Sequence, residues 1–595
     1  MGWPEESMEP VLTQHIADIL DRTVTLMLIA GAAPADVTAC CDATTAIRQG
    51  RLPDVPDYAP WGQIVAELLD TGTSPSYVAW TAELPESLLE LVQIAGFTPE
   101  IVRLLRERLA VYSWFDLSML LTEGRDKLIL VPEIPEDLLT SAAAYLEARR
   151  PVAPSVYLGV EGLAALQGLL AAWEAIGPGW PIYPVGAVAR GDELIGQIEL
   201  LGAAGNGRLA MFQAFLPDFE RDAERYASPL SGTLRFGERQ RPPRLGPNRL
   251  HEGPDSVTIR LRNGLPVRLH LVPEAELVGE LVRRRSSESH WQQVAPGETV
   301  SPMYTDLFDL EVAFYRSRGL AYVPAELRDR PLDMDRWRAG TQHRLLSEAD
   351  MRGDLHMHTV WSDGKGTIDA MVARAAALGY EYVAICEHSP YVPAAHGLDP
   401  ERLRQHRAVI DELNARHPGI RVLAGAEVDI LPDGRLDYAD VVLASLDVVI
   451  GSIHTDFDLD REAQTVRLER AMANPHVDII GHPTGRILNN CPAYALDVDR
   501  VIRAAARTHT ALEINATPNR LDLPAAVARA ALEAGVMLVI NTDSHSPEGL
   551  VAMPLGVSQA RRAGARPGQI LNTRSLAALQ RWLQTPKDQR GTLTI

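Results

Sequence analysis

Residues 353–595 alternate between short apolar runs and segments whose apolar residues recur every three or four positions. Runs such as YVAICEHS and MLVINTDSH are almost continuously apolar, which is typical of strands buried on both faces of a parallel sheet. Segments such as DAMVARAAALGY and PAAVARAALEAG have the spacing of amphipathic helices. This regular alternation of strand and helix predicts a parallel α/β barrel.

The preceding chain divides into two further patterns. In residues 1–150, segments such as IVAELLD and IVRLLRERLAVY place apolar residues at i, i+3 and i+4, and turns with proline separate them. This repetition predicts stacked helical hairpins. Residues 151–330 mix a helix, GLAALQGLLAAWEAI, with alternating strands such as SVTIRLRNGLPVRLHLVP, which predicts an α+β domain. We expect a loop over 236–254 and a linker over 331–352.

Composition narrows the class of protein. The chain has 595 residues and a net charge of −21, which implies several domains and disfavours a generic nucleic-acid binder. No apolar run is long enough for a membrane span, and the N-terminus is acidic, so we expect neither a membrane span nor a secretory signal. The four cysteines form no C-x-x-C pair, so a reducing cytoplasm is expected. The arginine-rich stretch 235–268 is the best candidate for nucleic-acid contact.

Side chains suited to metal binding follow one another along the predicted barrel, mostly where a strand ends. Active-site residues of parallel barrels lie at this end of the strands. Imidazoles and carboxylates in this ratio suit Zn²⁺, Mn²⁺ or Fe²⁺, so the sequence predicts a multinuclear metal hydrolase. The nine candidates are His356, His358, Asp363, His388, Glu427, His454, His482, Asp543 and His545.

The motifs GDLHMHTVWSDG, CEHS, AGAEVDILPDG, IGHPTGR, ALEINATPNRLDL and INTDSHSPEGL resemble those of the polymerase-and-histidinol-phosphatase (PHP) domain. The resemblance implies a distorted (β/α)₇ barrel with three divalent metals. It further implies that Glu427 bridges the first two ions. The implied sets are His356, His358, Glu427 and Asp543 for the first ion, Glu427, His454 and His482 for the second, and Asp363, His388 and His545 for the third.

Two further residues are predicted to assist catalysis. Two cations a few ångströms apart can clamp a phosphate group and activate water. The guanidinium of Arg486 in GHPTGR matches phosphate geometry and is predicted to bind a non-bridging oxygen. Asn515 is predicted to orient a metal ligand from outside the coordination sphere.

The order of segments also resembles bacterial X-family DNA polymerases, in which helical hairpins precede a nucleotidyltransferase palm and a PHP domain. PVGAVARGDELIGQIELL resembles the palm motif, but Ala187 replaces its serine, Gln197 and Glu199 replace its Asp-x-Asp pair, and Arg268 replaces its third aspartate. Nucleotidyl transfer needs carboxylates that hold two Mg²⁺ ions. We therefore expect no polymerase activity.

The hairpin turns depart from the helix–hairpin–helix family, whose Gly-x-Gly turns bind DNA phosphate through backbone N–H groups. Here they read Asp54-Val55-Pro56, Gly96-Phe97-Thr98 and Glu133-Ile134-Pro135. Residues 1–150 hold 23 acidic and 10 basic side chains, which favours a structural or protein-binding role.

The resemblance implies 3′–5′ exonuclease or related phosphodiester hydrolysis, with single-stranded or nicked DNA as a possible substrate. Three alternatives remain open at this point: a small-molecule phosphomonoesterase of the histidinol-phosphatase kind, an active X-family polymerase, and a non-catalytic scaffold.

Overall fold

The described chain forms two compact units, Met1–Pro151 with Val392–Ala394 and Thr455–Leu459, and Val152–Tyr391 with Ala395–His454 and Asp460–Ile595. No helix among the described residues is long and apolar enough to cross a bilayer. The computed structural model describes residues 10–49, 51, 60–71, 74–81, 84, 87–109, 111–112, 114–123, 128, 131–149, 157–176, 179–221, 249–253, 255–261, 265–295, 306–338, 340, 344–416, 419–488 and 490–590.

The first unit is helical, as predicted. Pro34, Pro60, Pro75 and Pro99 are each the first residue of a helix, where the missing N–H has no intrahelical partner to lose. The turn at residues 54–56 lies outside the described residues. The helices are α1 (Pro10–Ala30), α2 (Pro34–Arg48), α3 (Pro60–Thr71), α4 (Pro75–Thr81), α5 (Leu88–Leu91), α6 (Pro99–Leu109), α7 (Trp114–Glu123) and α8 (Glu136–Arg149).

Two apolar clusters hold these helices together. Helix α1 contributes to both, because Leu20 packs with Trp61 in one cluster and Ile29 packs with Leu88 in the other. The segment SLLELVQI, predicted as a helix, forms only the short helix α5.

The second unit begins with an α+β region that contains a two-stranded sheet and a five-stranded mixed sheet. Its elements are β1 (Tyr157–Leu158), α9 (Gly159–Ile176), β2 (Tyr183–Val185), α10 (Gly186–Ala189), β3 (Leu194–Ile195), β4 (Ile198–Ala203), α11 (Arg208–Arg221), β5 (Arg249–Gly253), β6 (Ser256–Arg260), β7 (Pro266–Val272), α12 (Leu277–Arg284), α13 (Glu288–Val294), α14 (Leu307–Arg316) and α15 (Met334–Arg338). Strands β1 and β3 form a separate antiparallel pair. The five-stranded sheet has the order β2-β4-β7-β6-β5, and within it only β4 and β7 pair in parallel.

Apolar clusters lie on both sides of this sheet. Helices α9 and α11 belong to one cluster, while α12 and α14 belong to the other. The segment 331–352, predicted as a linker, carries α15, whose Met334 and Trp337 pack into the second cluster. Most of the predicted loop at 236–254 lies outside the described residues, but its end forms β5.

The predicted seven-stranded barrel is confirmed. Its elements are β8 (Gly353–Asp354), α16 (Ile368–Ala377), β9 (Tyr382–His388), α17 (Pro400–Arg416), β10 (Arg421–Asp429), α18 (Asp440–Leu443), β11 (Val448–Ser452), α19 (Arg461–Ala473), β12 (Ile479–Ile480), α20 (Val498–Thr508), β13 (Ala511–Asn515), α21 (Ala525–Glu533), β14 (Leu538–Asn541), α22 (Met553–Ala563) and α23 (Leu576–Gln584). All neighbouring strands are parallel and follow chain order from β8 to β14.

The first and last strands approach each other and almost close the barrel. A parallel bridge joins Met357 to Ser544, and the backbone N–H of His358 donates to the carbonyl of Ser544 at 2.9 Å. The side-chain carbonyl of Asn541 accepts the N–H of Leu355 at 3.0 Å. The carboxyl ends of all seven strands therefore surround one mouth.

Candidate metal centre

The nine predicted ligand residues converge at the mouth of the barrel. His388 is the last residue of β9, and Glu427 lies two residues before the end of β10. His454, His482 and Asp543 each follow by two residues the end of their strands, β11, β12 and β14. His356, His358 and Asp363 follow β8, and His545 follows Asp543. Parallel strands thus bring together residues that are far apart in sequence.

The buried carboxylate of Glu427 lies at the centre of this arrangement. Five imidazoles surround it, and no lysine or arginine pairs with it among the described residues. The nearest nitrogen–oxygen distances to Glu427 are 2.9 Å for His482, 3.1 Å for His388, 3.2 Å for His454 and 3.4 Å for both His356 and His358.

The donor atoms form three overlapping groups, in each of which they lie within 4.8 Å of one another. His358, His388 and Glu427 each belong to two groups, so the centre is continuous. His482 is outside these groups, but its Nε2 lies 2.9 Å from Glu427. The groups are His356, His358, Glu427 and Asp543; His358, Asp363, His388 and His545; and His388, Glu427 and His454.

Two imidazole nitrogens face each other in the first group. The Nε2 atoms of His356 and His358 are 3.2 Å apart. Both also face Asp543, at 3.6 and 3.2 Å respectively. Imidazole nitrogens and carboxylate oxygens converging on one small volume match the donor set of Zn²⁺, Mn²⁺ or Fe²⁺.

Carboxylates behind the histidines orient their rings. Glu513 accepts from His356 Nδ1 at 2.8 Å and from the backbone N–H of His482 at 2.7 Å. Asp429 accepts from His454 Nδ1 at 2.9 Å. These contacts leave the Nε2 atoms of His356 and His454 directed toward Glu427. Partners of this kind fix the ring orientation of a metal-binding histidine.

A third buried carboxylate, Glu387, holds the turn that carries Asp363. It accepts hydrogen bonds from the hydroxyls of Thr359 and Ser362. Three carboxylates of the site were not predicted from the sequence: Glu387, Asp429 and Glu513. For the latter two the signal was period-two alternation, because Asp429 follows Glu427 by two residues and Glu513 precedes Asn515 by two.

Backbone conformation also marks the site. His482 and Asp543 adopt left-handed backbone angles, with φ of 26° and 51°. Residues with a side chain adopt this region at an energetic cost, and such strain concentrates at functional sites.

The other two predicted residues lie in different surroundings. The amide of Asn515 donates to Asp543 at 3.0 Å and to Glu513 at 3.2 Å. All three guanidinium nitrogens of Arg486 are engaged elsewhere, with Glu193 and with the carbonyls of Arg520 and Leu521. The geometry therefore favours an anchoring role for Arg486 over the predicted contact with phosphate.

Protonation differs among the clustered groups. Burial raises the pKa of Glu427, but attraction to His454 and His356 outweighs burial and leaves that pKa well below its usual value. Burial lowers the pKa of His454, but Glu427 and Asp429 outweigh it and raise the pKa to about 10. Burial holds the pKa of His388 well below its usual value. His388 is thus a neutral donor, whereas His454 holds a proton that a cation must displace.

Cation binding near pH 8 is therefore expected to release at least one proton. Since the pKa of His454 is about 10 in the metal-free chain, the imidazole is protonated at that pH and must lose its proton to coordinate. Cation affinity should rise as the pH approaches 10. Calorimetric titration with Mn²⁺ in two buffers of different ionisation enthalpy measures the release. Identical heats in both buffers would contradict this expectation, and His454→Gln should reduce the proton count.

The five-stranded sheet, where the sequence resemblance places a polymerase site, presents no comparable group of carboxylates among its described residues. Glu199 on β4 lies beside Arg268 on β7 in the parallel register. Its carboxylate is 3.5 Å from His270 Nε2. A negative and a positive side chain therefore stand side by side at these positions, unlike three aspartates that share two Mg²⁺ ions.

These observations define a class: a parallel α/β barrel with a histidine- and carboxylate-lined centre suited to divalent cations. The PHP domain model matches residues 354–517. The chain is 31% identical over 253 residues to a probable phosphatase of Shewanella sediminis, covering 41% of this chain and 96% of that protein. The chain belongs to the PHP family.

The chain is also similar to a longer bacterial protein and to a solved structure. The chain is 44% identical over 287 residues to the DNA polymerase/3′-5′ exonuclease PolX of Bacillus subtilis, and the match covers 48% of this chain and 50% of that protein. The chain thus spans half of that relative's length. A histidinol phosphate phosphatase structure from Lactococcus lactis, with Zn, L-histidinol and phosphate, has a TM-score of 0.31 and 21% identity. The match covers 36% of this chain and 95% of that one.

Proposed function

We propose that this chain is a metal-dependent phosphoesterase and that its barrel hydrolyses phosphodiester bonds from the 3′ end of DNA. The observation that carries the proposal is the convergence of five histidines on the buried carboxylate of Glu427. The 3′–5′ exonuclease named in the Bacillus relative supports the choice of DNA over other phosphate esters.

The proposal assigns three divalent cations, Mn²⁺, Zn²⁺ or Fe²⁺, to the three groups of donors. Glu427 would bridge the first two. The sets are His356, His358, Glu427 and Asp543; Glu427, His454 and His482, to which the geometry adds His388; and Asp363, His388 and His545.

When bound, such cations act as Lewis acids on a phosphate ester and supply a water-derived nucleophile near neutral pH. The residues of the chain hold and orient the donors. Glu513 fixes the His356 ring through Nδ1, and Asp429 does the same for His454. Asn515 restrains the carboxylate of Asp543. The open end of the barrel gives a phosphate group access to this centre.

A small-molecule phosphomonoesterase is the second candidate. It is favoured by the Shewanella relative named as a probable phosphatase, which this chain matches over 96% of that protein's length. The two candidates share the metal centre and differ only in the substrate that reaches it.

One substrate comparison tests both candidates. The full chain with Mn²⁺ is incubated with 3′-labelled and 5′-labelled single-stranded DNA, and separately with histidinol phosphate and p-nitrophenyl phosphate. We expect the wild-type chain to release mononucleotides from the 3′ end of the DNA. The His356→Ala variant should release none. Phosphate release from the small esters alone would select the second candidate. Inertness toward every substrate with Mn²⁺, Zn²⁺ and Fe²⁺ would favour a non-catalytic scaffold.

We also propose that the polymerase-like region does not transfer nucleotides. Gln197 and Arg268 stand where metal-binding carboxylates are required, and the remaining acid, Glu199, faces His270. The acidic helical unit is proposed as a protein-binding platform, since its described Glu133 turn would repel phosphate.

Primer extension is accordingly expected to be absent. The protein should add no nucleotide to a primed template with Mg²⁺ or Mn²⁺, because two of three ligand positions cannot hold a cation. A gel assay with His356→Ala, which removes the proposed exonuclease, avoids degradation of the product. Extension that Glu199→Ala abolishes would overturn the proposal.

A further inference from the structure

Glu193, in the polymerase-like region, binds two barrel residues. It follows the turn Arg190–Asp192 and lies 293 residues before Arg486. One carboxylate oxygen accepts from Arg486 at 2.8 Å, and the other accepts from the side-chain amide of Gln559. The side chains of Glu193 and Arg486 are 19% and 12% exposed, so water screens the pair only partly.

Arg486 also donates hydrogen bonds to one segment of the barrel, residues 520–521. Its Nε donates to the carbonyl of Arg520 at 3.1 Å, and Nη2 donates to the carbonyl of Leu521. Leu521 has a left-handed φ of 43°, a conformation that needs external support. The guanidinium therefore fixes two successive carbonyls of a strained segment.

The same segment contacts the loops that carry two proposed metal ligands. The carboxylate of Asp522 accepts the N–H of Thr484 at 2.9 Å, two residues after His482. The carbonyl of Asp522 accepts the N–H of Asn515, whose amide restrains Asp543. Thr484, Asn515 and Asp522 are all buried, so water does not compete for these bonds.

We propose that Glu193 is a positioning residue for the metal centre, acting through Arg486 on segment 520–522 and thereby on His482 and Asp543. The proposal rests on the proposed function only in treating these two residues as metal ligands. It assigns a role to a turn of the polymerase-like region: the turn binds and orders the barrel.

The physical basis is the loss of the partner that orients Arg486. Without Glu193 the guanidinium keeps its charge but loses its carboxylate partner, so it can rotate away from the carbonyls of Arg520 and Leu521 toward solvent. Segment 520–522 then loses its fixed geometry. Metal sites tolerate displacements of only about 0.5 Å, and loss of residues that orient ligands typically weakens cation binding by about 10- to 100-fold.

A second ion pair within the same unit provides a matched control. Arg561 on α22 binds Glu326 at 2.8 Å with similar exposure, 27% and 22%. Its other side-chain bond is to the carbonyl of Leu346, and among the described residues no hydrogen bond joins Leu346 to a proposed ligand. Glu326→Ala therefore breaks an equivalent pair between the polymerase-like region and the barrel without disturbing segment 520–522.

The test measures cation binding directly. Full-length wild type, Glu193→Ala, Glu193→Gln and Glu326→Ala are titrated with Mn²⁺ by calorimetry and with Co²⁺ by visible absorption, after thermal melts verify folding. We expect about 10-fold weaker binding for Glu193→Ala and an altered Co²⁺ spectrum. Glu193→Gln keeps an acceptor for Arg486 and should recover part of the affinity. Glu326→Ala should bind as wild type does.

Two outcomes overturn the inference: unchanged cation binding by Glu193→Ala, or equal weakening by Glu193→Ala and Glu326→Ala, which would indicate a general effect of docking. Failure of the proposed function has a different signature. A wild type that binds cations but hydrolyses no phosphate ester refutes that function, while the binding comparison among the variants still decides the role of Glu193.

Discussion

Glu427→Gln is expected to abolish phosphate ester hydrolysis and to remove at least two of the bound cations. The carboxylate belongs to two of the three donor groups. A neutral amide has no negative charge with which to bridge two cations. Because cations contribute several kcal/mol to the transition state, the expected loss in kcat is on the order of 10³-fold or more. Metal analysis after dialysis and steady-state kinetics measure the two effects.

The matched control is Glu412→Gln on the outer face of α17, where the glutamate is 73% exposed. It makes the same chemical change far from a buried charge and should leave metal content and kcat unchanged. Full metal content with normal kcat in Glu427→Gln would contradict the assignment of Glu427 as the bridge.

Glu513→Gln is expected to weaken cation binding by about 10- to 100-fold and to destabilise the fold by about 1–3 kcal/mol. The buried carboxylate accepts from four donors: His356 Nδ1, the N–H of His482, and the amides of Asn515 and Asn541. A glutamine turns one acceptor into a donor, so at least one buried N–H loses its partner and the His356 ring can rotate.

Calorimetric Mn²⁺ titration and urea unfolding of the metal-free chain separate these two effects. Glu533→Gln, at the exposed end of α21, is the control and should change neither quantity. If Glu513→Gln lowered stability but bound Mn²⁺ normally, the carboxylate would be a structural group with no part in orienting ligands.

The barrel and its ligand set could be predicted because both depend on local pattern. Near-continuous apolar strands such as Tyr382–His388 can only be buried on both faces, and parallel strands end at one mouth. Nine ligand-type residues near such ends therefore had to approach one another. The sequence pattern does not predict which residue binds which cation, because His358 and His388 each belong to two groups of donors.

Features that depend on long-range contacts could not be predicted. The partner of Arg486 is 293 residues away, so its predicted contact with phosphate rested on its motif alone. Alternation placed Glu513 on the same face as Asn515, but only the folded chain brings His356 to it. Met334 and Trp337 lie between charged residues whose polarity concealed their burial, and the segment therefore read as a linker.

The closure of the barrel bears on how the protein is made. Asp354 accepts from Thr542 across 188 residues, and this contact joins the first strand to the last. A nascent chain emerging from the ribosome cannot complete the ligand set until residue 545 has been synthesised and released from the exit tunnel. Such distant pairings close late in folding. Cation loading should therefore follow the closure of the barrel and come late in the maturation of the molecule.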